Sequence, residues 1–313
     1  MDIQKQISDL IKEDFKQKPL KIEKMTTGIC NEVYLIALDN NKEIILRFNT
    51  DKKHMIGSGF NIPLFKKQNI NVPEIITEDY SKTKFPYSYQ ILSKIKGKDI
   101  GSVFHELNEE QLKDIAKKLA SVINKLKKLP TSGKFGDIAG KDEENMFDSW
   151  LGVILDMYQE IKTRNQKTGV LDSEVLNILD NVVKKYTPYL KSAESIFYYD
   201  DMCSKNIMID NGKFSGIVDL DYVRYGDYLE AIGRIKASYF GMKKGEIYLE
   251  AIIKELGLSA KDKELITVYA ILNLIYWITE EGIQFNLNTT TKINWENVKR
   301  KTEAVKEMYK EIQ

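Results

Sequence analysis

Histidine, cysteine and proline are scarce in this chain: its 313 residues include two His, two Cys and six Pro. With only His54 and His105, a Ser-His or Cys-His catalytic pair has few places to start. Cys30 and Cys203 cannot make a disulfide scaffold, and their spacing fits no zinc site. Net charge is nearly absent as well, 47 Lys and Arg standing against 46 Asp and Glu. A dedicated nucleic-acid or anionic-membrane binder would carry a basic surplus, so neither partner is expected. Long apolar runs are also missing. The most hydrophobic stretch, residues 268–278, is interrupted by Asn273 and is too short to span a bilayer. Near the N-terminus, Ile3, Ile7, Leu10, Ile11 and Phe15 follow the spacing of an amphipathic helix, not of a signal peptide. A cytoplasmic protein with unpaired thiols is expected, with a monomer as the default.

What is present is a hydrophobic fraction of 42%, enough for a sizeable core, and an ample supply of carboxylates. Any chemistry is therefore expected to run on acids. Arginine is rare, only five residues among 47 basic ones, so each Arg in a structured place stands out from the lysine background.

The hydrophobic pattern changes character along the chain. Residues 21–25, 32–38 and 43–48 alternate as strands, with Asp39-Asn40-Asn41 as the turn between the last two. Residues 86–95 form another apolar strand closed by Lys96-Gly97. Beyond Gly97 the period becomes helical, first over 107–129, where Asn108 or a neighbour can cap the start and Pro130 stops the run. Segments 145–165, 172–191, 245–256, 262–281 and 295–311 also read as helices. One β island interrupts them. Residues 207–209 and 214–218 flank Asp210-Asn211-Gly212, an Asn-Gly hairpin signal. The plan is α+β, with a β-rich N-lobe over residues 1–95 and a mainly helical C-lobe over 96–313 that carries the hairpin.

The chemistry concentrates around that hairpin. Asp201 precedes Asn206 by five residues, and Asp219 follows on the far side of the turn. Closing the hairpin sets Asn206 beside Asp219, with Asp201 just upstream. An amide oxygen next to a carboxylate suits Mg²⁺ carried by a nucleotide, since Mg²⁺ takes few protein ligands together with phosphates and water. A further carboxylate a few ångströms away can accept a proton from an incoming hydroxyl. Between Tyr199 and Glu230 there are seven acids and three bases, so the near-neutral chain contains a locally acidic segment.

This Asp-x4-Asn, hairpin, Asp arrangement resembles the catalytic loop and metal-binding Asp of the kinase fold. It is most similar to the aminoglycoside phosphotransferase and choline kinase family, whose H-x-D-x4-N, hairpin, I-D pattern appears as Tyr199, Asp201, Asn206 and Ile217-Val218-Asp219-Leu220. The family's Gly-Asp-Pro-x-x-Asp corresponds to Gly226-Asp227-Tyr228-Leu229-Glu230-Ala231. The resemblance implies a bilobal protein-kinase-like fold, with Asp201 as catalytic base and Asn206 and Asp219 as Mg²⁺ ligands. In the N-lobe it implies a phosphate-covering loop at Thr26-Thr27-Gly28-Ile29-Cys30-Asn31, with Thr27, Gly28 and Asn31 near the nucleotide. It sets Arg47 over the phosphates, where a planar guanidinium binds oxygens bidentately. It also places the adenine edge at the Ser93 carbonyl and the Ile95 N–H.

Two departures from the family pattern are visible. Tyr199 stands where the family has His. Between Lys52 and Pro73 there is no acid, although the family orients its phosphate-binding cation with a Glu on the following helix. Either other groups place Arg47, or its carboxylate comes from elsewhere in the chain. Asp200 reads first as a solvated neighbour of Asp201.

Candidate acceptor-lining residues are Asp221, Tyr222, Asp227 and Glu230, with Trp277, Glu280 and Glu281 on a later helix beside Tyr276. Acids suit a polyamine such as an aminoglycoside, and aromatics beside carboxylates suit a quaternary amine such as choline. The expected activity is Mg²⁺- and ATP- or GTP-dependent transfer of a γ-phosphate to a small-molecule hydroxyl. The two departures motivate an alternative, a nucleotide-binding pseudokinase or regulatory module. A metal-dependent hydrolase built on Asp200, Asp201, Asp219 and Asp221 is a third reading.

Overall fold

A computed structural model describes residues 2–25, 30–39, 42–139, 146–285 and 290–313. Helix α1 (Ile3–Phe15) is capped by Asp2, which accepts the Gln4 N–H at 3.0 Å. Its 3–4 spacing buries Ile7, Leu10 and Ile11 on one face. Strands β1 (Lys21–Met25), β2 (Glu32–Ala37) and β3 (Glu43–Asn49) follow, then a 3-10 turn and helix α2 (Ile56–Lys67). Strands β4 (Ile75–Asp79) and β5 (Ser88–Ser93) complete an antiparallel sheet in the order β1-β2-β3-β5-β4. Ile36, Ile44, Leu46, Phe48 and Ile91 point to one face, and α1 covers it to form a small separate core.

Helix α2 is hidden in the sequence. Its residues include Gly57, Gly59 and Pro63, which disfavour a helix, and it has no clear apolar stripe. Packing against other elements stabilises it instead. Ile62 and Phe65 join the core of the helical lobe, not that of the sheet they follow. Gly57 permits this approach, because a Cβ there would stand 1.7 Å from the backbone oxygen of Asp221.

The chain crosses between lobes through residues 94–97 and enters β6 (Lys98–Asp99) and α3 (Ile100–Val103). The expected helix over 107–129 is α4 (Glu109–Leu126), closed at its start by a reciprocal Asn108–Gln111 capping box. Then come β7 (Gly136–Ile138), α5 (Trp150–Thr168), α6 (Ser173–Ser192) and β8 (Ile196–Tyr198). The hairpin is β9 (Ile207–Asp210) and β10 (Lys213–Ile217), followed by β11 (Val223–Gly226), α7 (Leu229–Tyr239), α8 (Lys243–Leu256), α9 (Ala260–Thr279) and α10 (Trp295–Lys310). Asn211 (φ 49°) and Gly212 (φ 75°) both take left-handed backbone, as a tight two-residue hairpin requires.

Two three-stranded sheets, β10-β9-β6 and β7-β11-β8, hold the loops of interest. The segment holding Asp201 runs from β8 to β9, and the segment holding Asp219 runs from β10 to β11. The architecture is α+β, a sheet lobe followed by a mainly helical lobe. Helix α5 begins at Trp150, later than the expected 145, and residue 145 lies outside the described residues, as do Asn40 and Asn41 of the expected turn. Among the described residues, no helix is long and apolar enough to cross a membrane.

Candidate active site

The hairpin sets its ends side by side. Val218 N–H donates to the Asn206 carbonyl at 3.0 Å. Asn206 turns its Nδ2 to the Asp201 carboxylate at 2.6 Å and the Asp201 carbonyl at 3.2 Å. Those bonds fix the Asp201 side chain and direct the amide oxygen of Asn206 elsewhere as a neutral donor. Tyr199 is buried beneath the loop. Its hydroxyl proton is shared between the carbonyls of Asp219 at 2.9 Å and Val218 at 3.1 Å. Its ring meets Phe65 of α2 edge-on, with centroids 6.1 Å apart. The aromatic at the family's His position therefore ties the Asp201 loop to the Asp219 segment and to α2.

Asp219 takes left-handed backbone, φ 61°, uncommon for a residue with a Cβ. Crowding by both lobes strips part of its hydration and, with repulsion from Asp221 and Asp201, pushes its pKa up to about 7 against the pull of Arg47. Its side chain nonetheless keeps 57% of its surface open to the cleft.

Arg47 projects from β3 into the same region and is only 5% exposed. Its Nη1 and Nη2 meet the two oxygens of Asp221 at 2.6 and 2.7 Å, a bidentate pair across the lobes. Nε donates to Gln90 Oε1 at 2.9 Å, and Nη2 lies 2.8 Å from Ser58 Oγ. Asp219 Oδ1 is 3.8 Å from Nη1. The carboxylate missing from α2 comes from the other lobe, two residues beyond Asp219.

A second charge cluster is built around the buried acids Asp200 and Glu230. Arg234 contacts Glu230 at 2.7 Å and Asp200 at 3.0 Å, while Arg224 stands 3.6 Å from each of those acids and pairs with Asp137. Asp200 is buried, which corrects the expectation of a solvated side chain. Desolvation, reinforced by Glu230 and Asp137, pushes its pKa up to about 6 despite both guanidinium groups. Three acids share two cations, and Asp200 has the longer ion pairs.

The acceptor candidates divide. Asp221, Asp227 and Glu230 are buried, with both oxygens of each taken by protein partners. Asp227 accepts from the hydroxyls of Tyr189 at 2.6 Å and Tyr269 at 2.7 Å and from the Leu229 N–H at 3.1 Å. Glu230 accepts from Arg234 and, at 3.2 Å, from the Tyr198 hydroxyl. These three expected acceptor-lining acids are thus committed to protein partners. Glu281 accepts from the Asn294 N–H and the Asn297 amide at 3.1 and 2.6 Å, tying it to the start of α10. Tyr222 is exposed, with its hydroxyl 3.4 Å from the Lys53 carbonyl. Trp277 is half-buried, and its carbonyl accepts from Lys301 at 3.2 Å. Glu280 is half-buried beside it. Desolvation raises its pKa, and Arg164, Lys301 and Arg234 pull it back.

On the nucleotide side, Thr27 and Gly28 lie outside the described residues. Asn31 donates to the His54 carbonyl at 3.0 Å, and Asn49 donates to the Cys30 carbonyl at 2.7 Å, anchoring the C-terminal end of the loop. Ser93 closes β5, and Ile95 lies in the crossing segment. Sequence reasoning did not single out Ser58, Gln90, Asn61, Arg224 or Arg234. The scarcity of arginine was a usable signal, since Arg47, Arg224 and Arg234 each contact at least one buried acid.

A model of the phosphotransferase enzyme family matches residues 21–265. No curated protein matches the sequence. Among solved structures, a thermostable mutant of aminoglycoside phosphotransferase APH(4)-Ia in its apo form aligns with a TM-score of 0.72 at 14% identity, covering 97% of this chain and 98% of that chain. The GDP complex of wild-type aminoglycoside 2'-phosphotransferase-IIIa gives 0.72 at 13%, covering 99% of each chain. A ternary complex of an APH(4)-Ia mutant with AMP-PNP and hygromycin B gives 0.71 at 15%, covering 97% of this chain and 98% of that one. At such identities the likeness is one of fold. The sheet and helical lobes form a bilobal, kinase-like arrangement.

Proposed function

The chain belongs to the phosphotransferase enzyme family, and on that premise we propose that it transfers the γ-phosphoryl group of ATP or GTP to a hydroxyl of a small molecule, with Mg²⁺ as the metal. The observation that carries this reading is the convergence of Asp201, Asn206, Asp219 and Arg47 on one cleft between the lobes. In this reading residues 1–95 cover the nucleotide, and residues 96–313 carry the catalytic loop and the acceptor site. The protein works as a cytoplasmic monomer.

The donor set fits a shared metal. Among the described residues, no group of three or more His, Cys, Asp or Glu forms a metal cage. Asn206 and Asp219 alone give an oxygen pair, as suits Mg²⁺ completed by phosphates and water. When bound, the metal neutralises charge on the transferring phosphates. The chain's own contribution is largely positioning. Asp201, held by the Asn206 amide, accepts the proton of the acceptor hydroxyl. Arg47 steadies the phosphates, and Ser93 and Ile95 receive the adenine or guanine edge through their backbone.

The acceptor is an amino-sugar or amino-alcohol. Trp277, Tyr222 and the half-buried Glu280 remain to line its site once the saturated acids are set aside. A solved relative of the same fold holds hygromycin B together with AMP-PNP, which supports this class. The two departures that motivated a pseudokinase reading have structural counterparts: Asp221 faces Arg47, and Tyr199 anchors the Asp219 backbone.

The test is a phosphoryl-transfer screen with ATP and GTP over aminoglycosides, choline, amino alcohols and sugars. Metal-dependent transfer to at least one acceptor, lost in Asp219→Ala, is expected. Nucleotide binding without transfer to any acceptor would return the protein to the pseudokinase class.

A further inference from the structure

We propose that Asp221 is the positioning carboxylate for Arg47, delivered across the cleft by the same segment that carries Asp219. This rests on reading Arg47 as a phosphate ligand. A guanidinium has five N–H donors. Here Nε serves Gln90, one hydrogen on each terminal nitrogen serves Asp221, and the second on Nη2 serves Ser58 and Gln90. The remaining N–H belongs to Nη1, the nitrogen 3.8 Å from Asp219. The pairing thus holds the guanidinium plane fixed and leaves one donor on the side of Asp219, where it would be available to a phosphate oxygen.

The position on α2 that faces Arg47 is Ser58, fully buried and uncharged. It cannot neutralise a buried guanidinium, so the charge balance falls to Asp221. The packing around Asp221 makes that placement reproducible. Gly57 lets α2 approach the Asp221 backbone, and Asn61 Nδ2 donates to the Leu220 carbonyl at 2.9 Å. Helix α2 and residues 219–222 therefore pack directly against each other. Arg47, on the sheet, meets both of them: Ser58 of α2 at 2.8 Å and the Asp221 carboxylate at 2.6 and 2.7 Å. Asp221 in this way ties the placement of Arg47 on the sheet to the segment that carries Asp219.

The experiment measures equilibrium binding of Mg-AMP-PNP and of adenosine to the full chain. Asp221→Asn is expected to weaken Mg-AMP-PNP about tenfold or more while changing adenosine by less than about twofold. Adding Ser58→Asp, which returns a carboxylate to the other side of the same guanidinium, is expected to recover most of that loss. An equal loss for both ligands, or none for Mg-AMP-PNP, overturns the assignment. If Asp221→Asn does not fold, Asp221→Glu keeps the charge while displacing it, and the same selective loss is expected in smaller measure. An equal loss there overturns the proposal too. A wild-type chain that binds neither ligand overturns the nucleotide reading itself, a failure visible before any variant is made.

Discussion

Two buried arginine sites flank the Asp201 loop, and they are built on opposite principles. Arg47 makes a bidentate pair with Asp221 that joins the sheet lobe to the helical lobe, with Asp219 farther off at 3.8 Å. Arg224 and Arg234 stay within the helical lobe and share three acids, Asp137, Asp200 and Glu230. The first site is dominated by one directional pair, as suits a group that must present one donor in one direction. The second has a surplus carboxylate and alternative partners. It secures the floor beneath Asp201 without depending on any single contact. The comparison separates alignment, which needs a unique geometry, from support, which tolerates exchange.

Breaking each site by charge removal should sharpen that contrast. Arg47→Met leaves Asp221 buried and unpaired, so urea unfolding is expected to show a loss of about 3–5 kcal/mol. The double variant Arg47→Met/Asp221→Leu should recover most of it, because replacing both partners by apolar groups removes the unpaired charge. Arg234→Met should cost less than Arg47→Met, since Arg224 remains 3.6 Å from both stranded acids. Equal losses at the two sites would erase the distinction.

The surplus acid gives a smaller effect, dependent on pH. Asp200 titrates at about 6 in the folded chain, above the ordinary 3.8. The folded state therefore binds more protons between those values, and this group lowers stability as pH rises through the window. Asp200→Asn stays neutral throughout. Its stability relative to wild type should improve between pH 4 and pH 7, by no more than about 3 kcal/mol. Denaturation series at both ends of that range measure the change. A constant difference would mean that Asp200 has its own counterion after all.

Much of this was legible in the sequence where local signals act alone. The alternation of β2 and β3, the capping box at Asn108 and the Asn-Gly turn each depend on neighbours within a few residues. The Asp201, Asn206 and Asp219 grouping followed from hairpin closure, which needs only the turn. Helix α2 was not legible, because its glycines and proline oppose a helix and its partners in the helical lobe, Tyr199, Leu220 and Asp221, lie more than 130 residues away. The protein partners of Asp227 and Glu230 were hidden for a related reason. Acid in the sequence looks the same whether it faces solvent or the hydroxyls of Tyr189 and Tyr269. Asp221 looked like a substrate residue because nothing local reveals that β3 of the other lobe meets it.

The central claim is that Asp201 accepts a proton during phosphoryl transfer, and one measurement addresses it directly. Transfer of labelled γ-phosphate to the best acceptor from the screen is compared between wild type and Asp201→Asn, with Mg-AMP-PNP binding measured on the same samples. The account predicts a rate lower by about 10²–10⁴-fold in the variant with nucleotide affinity retained. Undiminished transfer by Asp201→Asn would contradict it.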